Sequence, residues 1–95
     1  MNIDNIIIHS DGTMTAVKPK DFKKFILEEL QSYVGGYIEV INLSANKVLV
    51  VNEEGKLHNL PVNEKATALA QYCNAIFPTD CIVGDAVVIE NKLLD

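Results

Sequence analysis

The chain has 95 residues, 48% apolar and 22% charged, with a formal charge of −5 from thirteen acids against eight lysines and no arginine. That length favours one domain over residues 1–95, because two halves would each be too small to bury a core, and the apolar share excludes a disordered tail or low-complexity spacer. An acidic chain without arginine is excluded from general nucleic-acid binding, whose affinity comes from neutralised phosphates. Mimicry of DNA charge needs a dense acidic face, whereas these acids are interleaved with lysines and apolar residues.

Ile3 to His9 holds the β-branched run Ile6-Ile7-Ile8, and Asp11-Gly12 follows, a hairpin signal calling for a type I′ turn with Thr13 to Val17 as the return strand. Pro19 ends that strand. From Lys20 to Tyr33, Phe22, Phe25, Ile26, Leu30 and Tyr33 recur at helical spacing, with Asp21 in the first turn and Gly35-Gly36 as the stop. Tyr37 to Leu43 alternates as a strand, Ser44 to Asn46 turns, and the valine-rich run Lys47 to Val51 pairs back as a second hairpin. Asn52-Glu53-Glu54-Gly55 is a tight turn leading to a short third strand, Lys56 to Leu60, ended by Pro61.

Asn63 is an N-cap for a second helix whose apolar face carries Ala66, Leu69, Ala70, Cys73 and Phe77, closed by Pro78. Cys81 to Glu90 is the last strand, bent at Gly84-Asp85, and residues beyond Asn91 are expected to fray. The order ββαβββαβ predicts an α+β, two-layer fold, a mostly antiparallel sheet with both helices on one face.

Little in this pattern points to chemistry. Cys73 and Cys81 read as reduced core thiols, and no basic-apolar-small run near the start marks a secretion signal, so the expected compartment is the cytoplasm. Two histidines and two cysteines at these spacings give no zinc set, and no apolar run approaches membrane-spanning length. His9 and His58 read as structural, and Glu53, Glu54 and Asp85 as solvating or turn acids, so no catalytic residue, metal or cofactor is expected. Gly35-Gly36 follows a helix rather than leading into one, the reverse of a phosphate-binding loop. Bare backbone there suits a close approach by a ligand or neighbouring chain, with Tyr37 as a stacking or interface residue and Lys56 and Asn59 as polar contacts. Lys18, Lys20, Lys23 and Lys24 form a local basic cluster before and inside the first helical turn.

Leu30-Gln31, Val34-Gly35-Gly36-Tyr37-Ile38-Glu39-Val40, Val51-Asn52-Glu53-Glu54-Gly55-Lys56-Leu57 and Leu60-Pro61-Val62-Asn63 occur in order, followed by Ala66 and by Ile82-Val83-Gly84-Asp85. This pattern resembles a family of small domains of unknown function common in phages, conjugative elements and gut bacteria. The resemblance implies a small accessory protein of a virus or mobile element, acting by stoichiometric binding in the host cytoplasm. Together with the lack of catalytic clusters, it gives a non-catalytic module that counters a host defence by sequestering a small nucleotide-like ligand. The expected site is Gly35, Gly36, Tyr37, Asn52, Lys56, Asn59 and Asn63, in a pocket formed between copies of a homo-oligomer. The alternative is an interaction or inhibitor module that binds a host defence protein without a small ligand. A third reading is a small hydrolase using a histidine or carboxylate.

Overall fold

The computed structural model describes residues 5–20 and 23–94. The elements are β1 (Ile6–Ile8), β2 (Met14–Ala16), α1 (Leu27–Val34), β3 (Ile38–Asn42), β4 (Lys47–Asn52), α2 (Glu64–Tyr72) and β5 (Ala86–Glu90), closed by a 3-10 turn at Asn91–Leu93. The strands make one sheet in the order β2-β1-β5-β4-β3, and every neighbouring pair is antiparallel. The fold class is α+β, as expected.

The helices, however, lie on opposite faces of the sheet. Side chains alternate along a strand, and here both sets are buried. Ile7, Val48, Val50, Val87 and Ile89 pack with Phe25, Leu30 and Val34 of the α1 layer. Ile8, Leu49, Val51 and Ala86 pack with Ala66 and Ala70 of α2. Three layers replace the expected two. The continuous run Val48 to Val51, apolar at every position, is what a strand covered on both faces requires.

Several boundaries move for local reasons. The first hairpin turns with positive φ at Gly12 alone, φ 94°, rather than at Asp11 as well. His9 N–H bonds Thr13 C=O at 2.8 Å and Gly12 N–H bonds His9 C=O at 2.9 Å, a three-residue loop in place of type I′. Helix α1 begins at Leu27 rather than Lys20, because Phe25 N–H is taken by Leu93 C=O at 2.8 Å. The buried Glu29 carboxylate then accepts from Ile26 N–H at 3.2 Å and Lys20 N–H at 3.1 Å, satisfying a donor the helix start leaves open. The lysines therefore precede the helix instead of opposing its dipole; Asp21 and Phe22, and the start of the first expected strand at residues 3–4, lie outside the described residues.

Residues 53–59 form consecutive turns, so the expected strand Lys56 to Leu60 does not exist; Leu57 is 74% exposed. Pairing resumes one step later, where Val62 bridges Val83. Helix α2 stops at Tyr72 because Asn74 takes φ 55°, leaving Phe77 exposed rather than on a buried face. The last strand starts at Ala86, after the expected bend at Gly84, φ 75°. Its continuation is held, not frayed: Leu94 bridges Phe25.

Asn63 joins three of these pieces. It caps α2 by accepting from Ala66 N–H at 3.1 Å, and its amide donates to Ile8 C=O at 2.8 Å and Gly84 C=O at 2.9 Å, all buried. Asn63→Ala removes a cap and leaves two buried carbonyls short of a donor, so a loss of about 2–4 kcal/mol is expected in urea unfolding. An exposed asparagine such as Asn46 changed to alanine serves as the reference and should cost within about 0.5 kcal/mol.

Candidate functional site

Two clefts open where β3 begins and β4 ends, and Asn52 lines both. The smaller, about 320 Å³, is formed by Gln31, Gly35, Gly36, Tyr37, Asn52, Glu54 and His58. Its geometry starts at the end of α1, where Gly35 adopts φ 81° and returns its N–H to Gln31 C=O at 2.8 Å. A Cβ on Gly36 would stand 2.9 Å from Asn52 Nδ2, so glycine is needed for that side chain to lie against the backbone. Asn52 donates to Val34 C=O at 3.2 Å and accepts from Glu54 N–H at 2.8 Å. The helix end and the acidic turn are thus pinned side by side, with Tyr37 standing 65% exposed beside them.

Four of the seven expected site residues, Gly35, Gly36, Tyr37 and Asn52, come together in this cleft. Lys56 lies in the larger one. Asn59 is exposed in the turn run at φ 54° and lines neither cleft. Asn63 is buried, with both side-chain polar atoms bonded within the fold, which places it in the framework and not at a surface.

The larger cleft, about 480 Å³, lies between Glu39, Ile41 and Val51 of the sheet and the α2–β5 connection, with Phe77, Asp80 and Cys81 on the far wall. Lys56 and Asp80 form an ion pair across it. The bonded ammonium, then Cys81 N–H, holds the Asp80 carboxyl below its ordinary range, and Asp80 in turn raises Lys56. Glu39 and Glu53 add carboxylates from the opposite, sheet side of the cleft. With one lysine against three acids, the cleft is net acidic.

A third cluster joins the first hairpin to β5. His9 Nδ1 meets Asp85 Oδ2 at 3.0 Å, its Nε2 meets Thr15 Oγ1 at 2.9 Å, and Asp85 Oδ1 accepts Ser10 N–H at 2.9 Å. Acid, imidazole and hydroxyl are aligned in the order of a nucleophilic relay. Every member also bridges strands: His9 follows β1, Thr15 lies in β2 and Asp85 precedes β5. No three or more histidine, cysteine or acidic side chains group as metal ligands among the described residues.

Sequence reading missed Gln31, Glu54 and His58 in the smaller cleft, Asp80 and Phe77 in the larger, and the His9–Asp85 pairing. Only His58 carried a local signal, four residues after Glu54, to which it comes within 3.8 Å. Asp80 lies 24 residues from Lys56, and Asp85 76 from His9, beyond any local pattern.

These features define a small three-layer α+β domain with two clefts of mixed polar and apolar lining at one end of its sheet. The chain belongs to the family described as domain of unknown function (DUF3846), whose profile matches residues 3–92. The resemblance to a small family of unknown function is borne out at that level. No curated protein and no solved structure matches the chain. No helix among the described residues is long and apolar enough to cross a membrane.

Two outcomes are expected from this geometry. Asp80 is depressed in the folded protein, so its pair with Lys56 stabilises above the unfolded aspartate pKa and is lost as pH falls through the folded one. Lys56→Ala should raise the Asp80 carboxyl toward the ordinary aspartate range in an NMR titration, the Cys81 N–H bond still holding it somewhat low, at a cost of only about 0.2–1 kcal/mol because the pair is largely exposed. If the His9 cluster serves as a strap, His9→Ala and Asp85→Ala should each cost about 1–2 kcal/mol, and the double variant less than their sum, in denaturant unfolding.

Proposed function

We propose that the protein is a non-catalytic binding module whose docking surface centres on Tyr37 and the adjoining glycine pair and acidic turn. The observation that carries this reading is the Asn52 brace: one buried side chain holds Val34 C=O and Glu54 N–H. The backbone around Gly35 and Gly36 is thereby fixed before any partner arrives, which lowers the ordering cost of binding. Tyr37, exposed and rigidly based, is the kind of aromatic anchor on which interface energy concentrates.

Electrostatics favour a protein partner over the nucleotide-like ligand. The smaller cleft carries Glu54 and the larger carries Glu39, Glu53 and Asp80 against Lys56 alone, so a phosphate would meet like charge in either. Gly35 and Gly36 N–H groups are both spent on Gln31 C=O, at 2.8 and 3.2 Å, and are not free to cradle an anion. The wider reading is an accessory protein of phage or mobile-element type that restrains a host defence protein in the cytoplasm by stoichiometric binding. Its support is the ordered motif resemblance.

The test is affinity capture from bacterial lysate with the wild-type chain and Tyr37→Ala, identified by mass spectrometry, alongside calorimetry with cyclic nucleotides and ADP-ribose. Saturable capture of a defined protein, weakened about tenfold or more by Tyr37→Ala, is the expected result. Heat from a nucleotide together with no captured protein would instead favour the ligand-sequestering version, and the solution mass with and without it would show whether that site forms between copies.

A further inference from the structure

We infer that the free edge of β3 is the docking strand for an extended segment of a partner protein that carries lysine or arginine at alternate positions; this rests on the protein-binding role proposed above and names its partner chemistry. Among the described residues β3 pairs on one side only, with β4. The bonds from Glu53 N–H to Tyr37 C=O, 2.8 Å, and from Leu43 N–H to Lys47 C=O, 3.0 Å, set the phase of that ladder. Odd-numbered residues therefore bond inward, and Ile38, Val40 and Asn42 turn their N–H and C=O groups outward.

Exposed edges are normally blunted by lysine, proline or a bulge. β3 reads Ile-Glu-Val-Ile-Asn in unbroken register with β4, with none of these devices. Its only charge is the acid Glu39. A row of unsatisfied backbone groups on a regular strand is what an added strand pairs with, backbone bonds giving affinity and alternate side chains giving selectivity.

The faces beside the edge select the partner. Side chains of an added strand would alternate between them. On the α2 face they would pass along the larger cleft, whose wall carries Glu39 and Glu53. Lys56 is already bonded to Asp80, and neither glutamate has a cation bonded to it among the described residues. A cation beside Glu39 meets its carboxylate, Glu53 adds the same sign of charge one strand further in, and the net charge of −5 favours cations at the flanking alternate positions at longer range. On the α1 face, half-exposed Val40 and Ile38 suit apolar residues between the cations. A second copy of the chain fits less well, since it brings the same acidic balance to the same edge.

The probe is a fluorescein-labelled peptide of alternating lysine and valine, with a glutamate–valine counterpart, followed by fluorescence anisotropy. The lysine peptide is expected to bind wild type about tenfold or more tighter than its counterpart, and to weaken as salt rises from about 50 to about 200 mM. Val40→Pro removes one outward N–H while leaving the inward ladder, and should weaken binding about tenfold with native circular dichroism. Glu39→Lys should weaken it several-fold without touching the backbone, and decides the matter if the proline variant does not fold. A lysine peptide that binds no tighter than the glutamate one, or that is indifferent to both substitutions, overturns the proposal. Capture of a host protein that survives Val40→Pro and Glu39→Lys but fails with Tyr37→Ala would remove the β3 edge and leave the binding role standing. No capture by wild type counts against the binding role itself.

Discussion

The architecture depends on burying β4 and β5 on both faces at once. Val48, Val50, Val87 and Ile89 look toward α1, while Leu49, Val51 and Ala86 look toward α2, and each of these is less than a tenth exposed. A sheet of this kind needs a cover on each side, because strands apolar at every position leave no face fit for water. One helix on each side satisfies the constraint, α1 leading straight into β3 and α2 reached and left through longer connections over residues 53–63 and 73–85. The helices can then be brief, eight and nine residues, because their stability comes from the stripe they lay on the sheet.

That same fact explains what could be read from the residues and what could not. The β-branched runs, the glycine stop after Val34 and the Asn63 cap are local signals, and each element they announced is present. The valine-rich run Lys47 to Val51 announced a strand, but its lack of alternation was also a sign of two covered faces, and the two-layer expectation did not use it. Periodicity misled at Phe25 and Phe77, both spaced as helical core residues. Phe25 is buried through a bridge to Leu94, and Phe77 stands in solvent beyond a helix already ended by a left-handed Asn74. Such outcomes are decided by partners far along the chain, which spacing does not encode.

The surface tells a similar story. The glycine pair and the Asn-Glu-Glu-Gly turn were singled out for backbone reasons, and they do meet, through the amide of Asn52. Lys56, placed in the same group by sequence, belongs to a neighbouring cleft because its partner Asp80 arrives from the α2–β5 connection. Asn63 was noted both as a cap and as a contact residue; burial among three carbonyl and amide partners leaves it only the first role. Polar residues near a turn are therefore better sorted by asking which backbone groups lack partners than by nearness in the chain.

The position of β5 has a consequence for how the molecule assembles. It lies in the middle of the sheet yet comes last among the strands, so the two earlier hairpins share no ladder until residues 86–90 are inserted between them. On the ribosome, the nascent chain would hold two separate ribbons with bare hydrogen-bonding flanks until that segment emerged. High sequence separation between β1 and β5 slows such a search. The interval in which those flanks wait is when the chain is most open to aggregation or to assistance from a chaperone.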